Sequence, residues 1–135
     1  VIAEDIVTIM NTTITNASYA RGFTLGADMQ SCYYTTTDTR LGGTPQDKRV
    51  VGVHLIYDED GTSDWYGELL PGEGNREPIA LGDEGYTNTG TSDGPAIHFR
   101  SGSYIVGIEF LAKPQGSPET HALTAELAAI AASRM

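Results

Sequence analysis

The stretch Ala96-Ile97-His98-Phe99-Arg100-Ser101-Gly102-Ser103-Tyr104-Ile105-Val106-Gly107-Ile108-Glu109-Phe110-Leu111 decides the fold. Apolar and β-branched residues alternate on either side of Ser101-Gly102, where glycine can take the positive φ of a two-residue hairpin turn. That turn predicts strands over Ala96 to Arg100 and Tyr104 to Leu111, with Phe99 opposite Tyr104 and Ile97 opposite Val106. Side chains alternate with period 2, so Ile97, Phe99, Tyr104, Val106, Ile108 and Phe110 share one face. The other face takes His98, Arg100, Ile105, Gly107 and Glu109. One apolar and one mixed face is the signature of an antiparallel sheet covered mainly on one side.

The neighbouring segments extend this sheet. Downstream, Ser117, Pro118 and Glu119 form a helix start: a hydroxyl cap, a proline at the first helical position and an acid in the first turn. The helix is expected to run to the C-terminus with Leu123, Leu127 and Ile130 as its apolar stripe. Ala122, Ala125, Ala128, Ala129 and Ala132 would let it lie close on the sheet. Upstream, Cys32 to Thr37 and Arg49 to Tyr57 are rich in aromatic and β-branched residues and predict two strands joined through Arg40 to Asp47. Thr12 to Phe23 shows a mixed pattern. Asp58 to Asp64 is a turn cluster ending in helix-capping residues, which predicts a short helix from Trp65 to Leu70. Pro71-Gly72-Glu73-Gly74 stops it, and the glycine-rich stretch through Tyr86 reads as loop or short strand. Ile2, Ile6, Ile9 and Met10 recur at helical spacing behind Glu4 and Asp5 and predict a short opening helix, a strand being the alternative. The result is an α+β domain: one antiparallel sheet with a short N-terminal helix, a short central helix and a long Ala-rich C-terminal helix packed on it.

A chain of 135 residues is the size of one domain with its own core, so residues 1–135 are read as a single domain. No apolar stretch approaches the ~20 residues needed to span a bilayer. The net charge of −10 argues against nucleic acid, which demands a basic footprint. Nine acids between residues 58 and 84 face Arg76 alone and form an acidic lobe. Cys32 is the only cysteine, so no intramolecular disulfide can form, and within a strand it reads as a buried, inert thiol. The start at Val1 fits a removed leader or a fragment, and the threonine-rich, lysine-poor composition fits an exported protein. Asn11-Thr12-Thr13 and Asn16-Ala17-Ser18 match the glycosylation pattern, one that arises often by chance.

Several groups of residues carry candidate chemistry. Asp58, Asp60, Asp64 and Glu68 offer hard oxygen ligands at close spacing for a cation such as Ca²⁺, although the spacing departs from the EF-hand and a solvated turn and helix start is the ordinary reading. Trp65, Tyr66, Tyr86 and Tyr104 could wall a small-molecule pocket, with His98 and Arg100 as its polar groups. Trp65 and Tyr66 diverge by about 100° on a helix, so only one of them is expected to be fully buried. His54, His98, Glu109 and Arg100 would make a base, a carboxylate and a cation around a shallow site if His54 shares the His98 face, and His121 reads as solvated. No P-loop, His-Glu-x-x-His or Gly-x-Ser-x-Gly motif is present, and no cofactor is implied. Thr35-Thr36-Thr37-Asp38-Thr39 is a candidate exposed edge for assembly.

The Cys-Tyr-Tyr strand, the Val-Gly-Val-His-Leu-Ile-Tyr strand, Leu81-Gly82-Asp83-Glu84-Gly85-Tyr86 and the hairpin followed by an Ala-rich helix have a familiar order. Together they resemble small exported, lipoprotein-type domains of actinobacteria and related bacteria, similar in layout to PsbP-type α+β domains. Most such domains have no assigned activity. The resemblance implies an extracytoplasmic domain without catalysis, in the cell envelope or secreted, lipid-anchored through a missing N-terminus. It also implies a disulfide from the strand cysteine to one near the domain start, and no such partner is present. The expected function is binding of a small molecule, a cation or a protein partner. A structural subunit of a surface assembly and a hydrolase-like enzyme using the strand histidines are the alternatives, and the oligomeric state is left open.

Overall fold

The computed structural model describes residues 4, 5, 8, 14–24, 27–36, 49–59, 61, 63–70, 75–88, 96–111 and 118–135. Its elements are β1 (Ile14–Thr24), β2 (Ala27–Thr36), β3 (Arg49–Tyr57), α1 (Trp65–Leu69), β4 (Arg76–Ile79), β5 (Glu84–Asn88), β6 (Ala96–Ser101), β7 (Tyr104–Leu111) and α2 (Pro118–Ser133). The strands form one seven-stranded sheet in the order β1-β2-β3-β7-β6-β5-β4, every neighbouring pair antiparallel. The chain meanders through β1, β2 and β3, passes through α1 to the far edge and meanders back until β7 lies beside β3. An α+β class with one antiparallel sheet is the architecture.

The β6–β7 hairpin turns at Gly102-Ser103, with Ser101 opposite Tyr104, Phe99 opposite Val106 and Ile97 opposite Ile108. This moves the partner of every β6 residue two positions from the register expected of a turn at Ser101-Gly102. The positive φ of Gly102, 59°, is used at the first turn position, which sets the turn one residue later. A shift of two leaves the faces unchanged, because side-chain direction repeats every second residue. Val51, Ile97, Ile108 and Phe110 accordingly pack on one face against Leu123, Leu127 and Ala128 of α2. Phe99 and Val106 meet Ala131. The contact stripe of α2 is therefore Leu123, Thr124, Leu127, Ala128 and Ala131, while Ala122, Ala125 and Ala129 face solvent and Ile130 is half-buried.

The opposite sheet face carries a second core of Ile56 and Ile105 covered by Trp65, Tyr66 and Leu69 of α1. Asp64 caps this short helix, its side chain accepting from the Gly67 backbone N–H at 3.3 Å. Both Trp65 and Tyr66 are buried, against the expectation for neighbours on a helix. Their rings meet edge-to-face at 5.7 Å, and Gly67 and Glu68 form the exposed side of the element. The mixed Thr12 to Phe23 stretch contributes an edge strand, and Thr35 and Thr36 belong to β2, paired on both sides, so they form no edge. Thr37, Asp38 and Thr39, the Arg40 to Asp47 loop and Ser117 lie outside the described residues. Of the opening segment, Glu4, Asp5 and Thr8 have helical geometry, and Ile2, Ile6, Ile9 and Met10 lie outside the described residues. Asp5 takes two hydrogen bonds from Arg134 at 2.6 and 2.9 Å, tying the two ends of the chain together. Among the described residues no helix is long and apolar enough to cross a membrane.

Leu81-Gly82-Asp83-Glu84-Gly85-Tyr86 acts as a strap over the hairpin. Asp83 donates its N–H to the Arg100 carbonyl at 2.8 Å and accepts from the Gly102 N–H at 2.8 Å. Gly82 has φ 61°, and a Cβ there would stand 2.4 Å from the Arg100 carbonyl oxygen. Gly82→Ala should therefore cost about 2–4 kcal/mol, left-handed strain plus overpacking. Gly102→Ala, whose φ of 59° has open space around it, should lose only the strain of about 1–2 kcal/mol. Urea unfolding of the two variants, with equal losses as the contrary outcome, checks the strap.

Candidate functional site

The register lays side chains from distant segments in rows across the sheet. One row on the α1 face runs Ser31, His54, Gly107, His98, Tyr86 and Pro78. The adjacent row runs Tyr33, Gly52, Glu109, Ala96, Asn88 and Arg76. Glycine thus sits between the two histidines in the first row and beside Glu109 in the second. A Cβ on Gly107 would stand 2.6 Å from Cδ2 and 2.7 Å from Nε2 of His98, and one on Gly52 would stand 2.9 Å from Cγ of Glu109 and 3.0 Å from Nε2 of His54. The rings and the carboxylate occupy the space that these glycines leave.

The polar groups in this layer join one another. His54 Nε2 meets Glu109 Oε1 at 2.7 Å, and His54 Nδ1 meets the Ser31 hydroxyl at 2.7 Å. An ionised carboxylate only accepts, so Nε2–H donates to Glu109, and the Ser31 hydroxyl donates to Nδ1 when the ring is neutral. Tyr33 packs edge-on to His54 at 5.5 Å. Burial works to raise the Glu109 carboxyl, but the His54 hydrogen bond and the histidine charges outweigh it and hold the group below its ordinary value. Burial, reinforced by the charge of His54, pushes His98 down from 6.5 to about 4 against the opposing pull of Glu109, so His98 is neutral near pH 7. Its buried Nδ1 has no hydrogen-bond partner among the described residues.

Next to this layer the expected ligand residues come together. Tyr66 lies 5.8 Å from His98 and 5.3 Å from Tyr86, and Trp65 lies 5.6 Å from Tyr86. Arg76 stacks over Tyr86 at 4.6 Å, and Arg100 stands 5.9 Å from the Trp65 ring. Glu84 accepts from Trp65 Nε1 at 3.0 Å and from the Tyr86 hydroxyl, and these two bonds, Tyr86 first, hold its carboxyl down. Trp65, Tyr66 and His98 of this cluster are 1%, 3% and 3% exposed, whereas Tyr86 and Arg100 are half-buried. Tyr104 stands apart from it, half exposed and paired with Tyr57 at 5.3 Å.

Two of the expected cation ligands, Asp58 and Asp64, form ion pairs. Asp58 pairs with Arg100 at 2.6 Å with both side chains largely buried, and Asp64 pairs with Arg76 at 2.7 Å. The Arg76 hydrogen bond and then the Gly67 N–H lower the Asp64 carboxyl. Glu68 is exposed on α1 and Asp60 lies outside the described residues. Among the described residues no group of three or more His, Cys, Asp or Glu is placed to hold a metal ion. Cys32 is a half-buried thiol rather than a fully buried one.

Open volume is found on the other face. A cavity of about 370 Å³ lies between Ile79, Leu81 and Ile97 on the sheet side and His121, Thr124 and Ala125 of α2. Its walls are chiefly apolar, and His121, read from sequence as solvated, is half-buried at its side. Ala80 and Ala125, small residues far apart in the sequence, also line it, and no local pattern joins them. Comparison with family models, curated proteins and solved structures gives no match.

The glycine gap in the histidine row is open to a direct check. Gly107→Ala should destabilise the protein by about 2–4 kcal/mol, because its Cβ meets a buried ring that has nowhere to move. Gly22→Ala on β1, with nothing within 4 Å of the added Cβ, should be neutral within about 0.5 kcal/mol. Thermal unfolding of both variants that gave similar shifts would contradict this layer.

Proposed function

We propose that the chain is a non-catalytic, extracytoplasmic binding domain that takes a small, largely apolar molecule into the cavity between α2 and the β4–β6 end of the sheet. The single observation that carries this reading is the cavity of about 370 Å³ itself. Ligand pockets of roughly 300–1,000 Å³ with apolar walls and a few polar groups are the usual form of small-molecule sites. Here Thr87, His121 and Thr124 are the polar groups able to orient a bound molecule among the apolar walls. The site draws on the glycine-rich middle of the chain, where loops on a rigid sheet commonly carry binding. The extracytoplasmic placement rests on the composition and on the resemblance in layout to small exported lipoprotein-type domains, with three helices laid on the sheet.

A hydrolase is the second reading, and the Ser31–His54–Glu109 chain is the observation in its favour. A substrate would have to reach a hydroxyl on a residue only 3% exposed, beside a histidine 8% exposed. Satisfied polar groups in a closed layer suit fold specification better than turnover. We therefore place binding ahead of catalysis.

The test uses 1-anilinonaphthalene-8-sulfonate as the apolar probe. The protein should give a saturable, one-to-one rise in probe emission. Ala80→Phe and Ala125→Phe, each filling the cavity from an exposed position, should abolish it with unchanged far-ultraviolet circular dichroism. No saturable rise, or an equal rise in both variants, would sink the reading.

A further inference from the structure

Resting on the reading of the cavity beside α2 as the binding site, we propose that this cavity selects a positively charged head group: its occupant is an apolar amine whose ammonium sits at Glu77 on the rim and whose apolar body lies inside. The strand register places Glu77. On β4 it stands directly opposite Thr87 of β5, and Thr87 stands opposite Ile97 of β6. Directly opposed residues point to the same face of a sheet, as do residues two apart on one strand. Thr87 and Ile97 line the cavity, and so does Ile79, two residues after Glu77. Glu77 is exposed and belongs to the outermost strand of the sheet. One strand spacing of ~4.8 Å separates it from Thr87, within reach of the head group of a molecule lying against Ile79 and Ile97.

The charges around the cavity have one sign. Among the described residues, β4, β5 and β6 hold two arginines and no lysine. Both arginines point to the α1 face, where Arg76 pairs with Asp64 at 2.7 Å and Arg100 with Asp58 at 2.6 Å. α2 has neither lysine nor arginine from Pro118 to Ser133, and the exposed Glu126 follows Ala125 of the cavity wall. A net charge of −10 adds a long-range field of the same sign. An ammonium is drawn to this rim and a carboxylate is repelled from it.

The walls set the rest of the molecule. An apolar cavity of ~150 Å³ holds benzene, so about 370 Å³ has room for a chain of roughly eight carbons. Ile79, Leu81 and Ile97 give such a chain no hydrogen-bond partner along its length, which confines its charge to the end at the rim.

Isothermal titration calorimetry at pH 7 with octylammonium, 1-octanol and octanoate, which share one chain and differ in head group, tests the proposal. Octylammonium should bind about two- to fivefold more tightly than octanol, and octanoate more weakly than either. Glu77→Gln should remove most of the preference for octylammonium, whereas Glu68→Gln, on the exposed side of α1 across the sheet, should keep it. Ala125→Phe should abolish binding of all three. Octanoate binding as tightly as octylammonium, a preference that survives Glu77→Gln, or one that Glu68→Gln also removes overturns the charge assignment, while binding of the uncharged octanol keeps the cavity reading intact. Octylammonium binding that persists in Ala125→Phe overturns it too, because the cation then sits on the acidic surface outside the cavity. Binding of none of the three sinks the cavity reading and the charge assignment with it.

Discussion

At the centre of the sheet Gly107 separates two buried histidines, and on this close approach the rest of the architecture depends. A side chain of any size at that position would collide with the His98 ring, and one at Gly52 would collide with the His54–Glu109 contact. Buried polar groups are costly unless paired, so His54 must find both Ser31 and Glu109, on β2 and β7. Only one register of β2, β3 and β7 allows that. Slippage by one residue would turn the histidines toward α2 and send Val51, Ile108 and Phe110 to the polar side. The polar layer on one face thus fixes the apolar surface offered to α2 on the other.

The acidic middle of the chain serves the same end. Asp58 and Asp64 are tied to Arg100 and Arg76, Asp83 holds the hairpin turn, and Glu84 receives the Trp65 indole. Breaking a buried pair such as Asp58–Arg100 leaves an uncompensated charge and costs about 3–5 kcal/mol. Of the expected cation ligands, Asp58 and Asp64 form ion pairs that, with Asp83 and Glu84, fasten α1 and the strap to the sheet.

Where local pattern decides, the fold is legible from residues alone. Arg49 to Tyr57 and Tyr104 to Leu111 announce themselves by β-branched content, and the faces of the β6–β7 hairpin follow from alternation even though its turn lies one residue later. β1 escapes such reading because, as an edge with most of its side chains exposed, it needs no apolar alternation. Trp65, Tyr66, Tyr86, His98 and Arg100 stand out by residue type, whereas their convergence depends on α1 lying on the sheet. Ser31, His54 and Glu109 are brought together by pairings across 23 and 55 residues, which no local pattern specifies. The cavity beside α2 is equally non-local, since it is the space between surfaces rather than a property of either.

The proposed function rests on a contrast between the faces: one carries a buried polar and aromatic layer, the other a cavity of about 370 Å³ beside α2. The most direct test is a pH titration of the histidine ring nitrogens by nuclear magnetic resonance. Burial, as the account has it, keeps His98 neutral, with no change in its ring signals from pH 8 to pH 5 and protonation only near its lowered value of about 4. Titration of His98 around the ordinary value of 6.5 would contradict it, because water would then reach the layer and the face would be open to substrate.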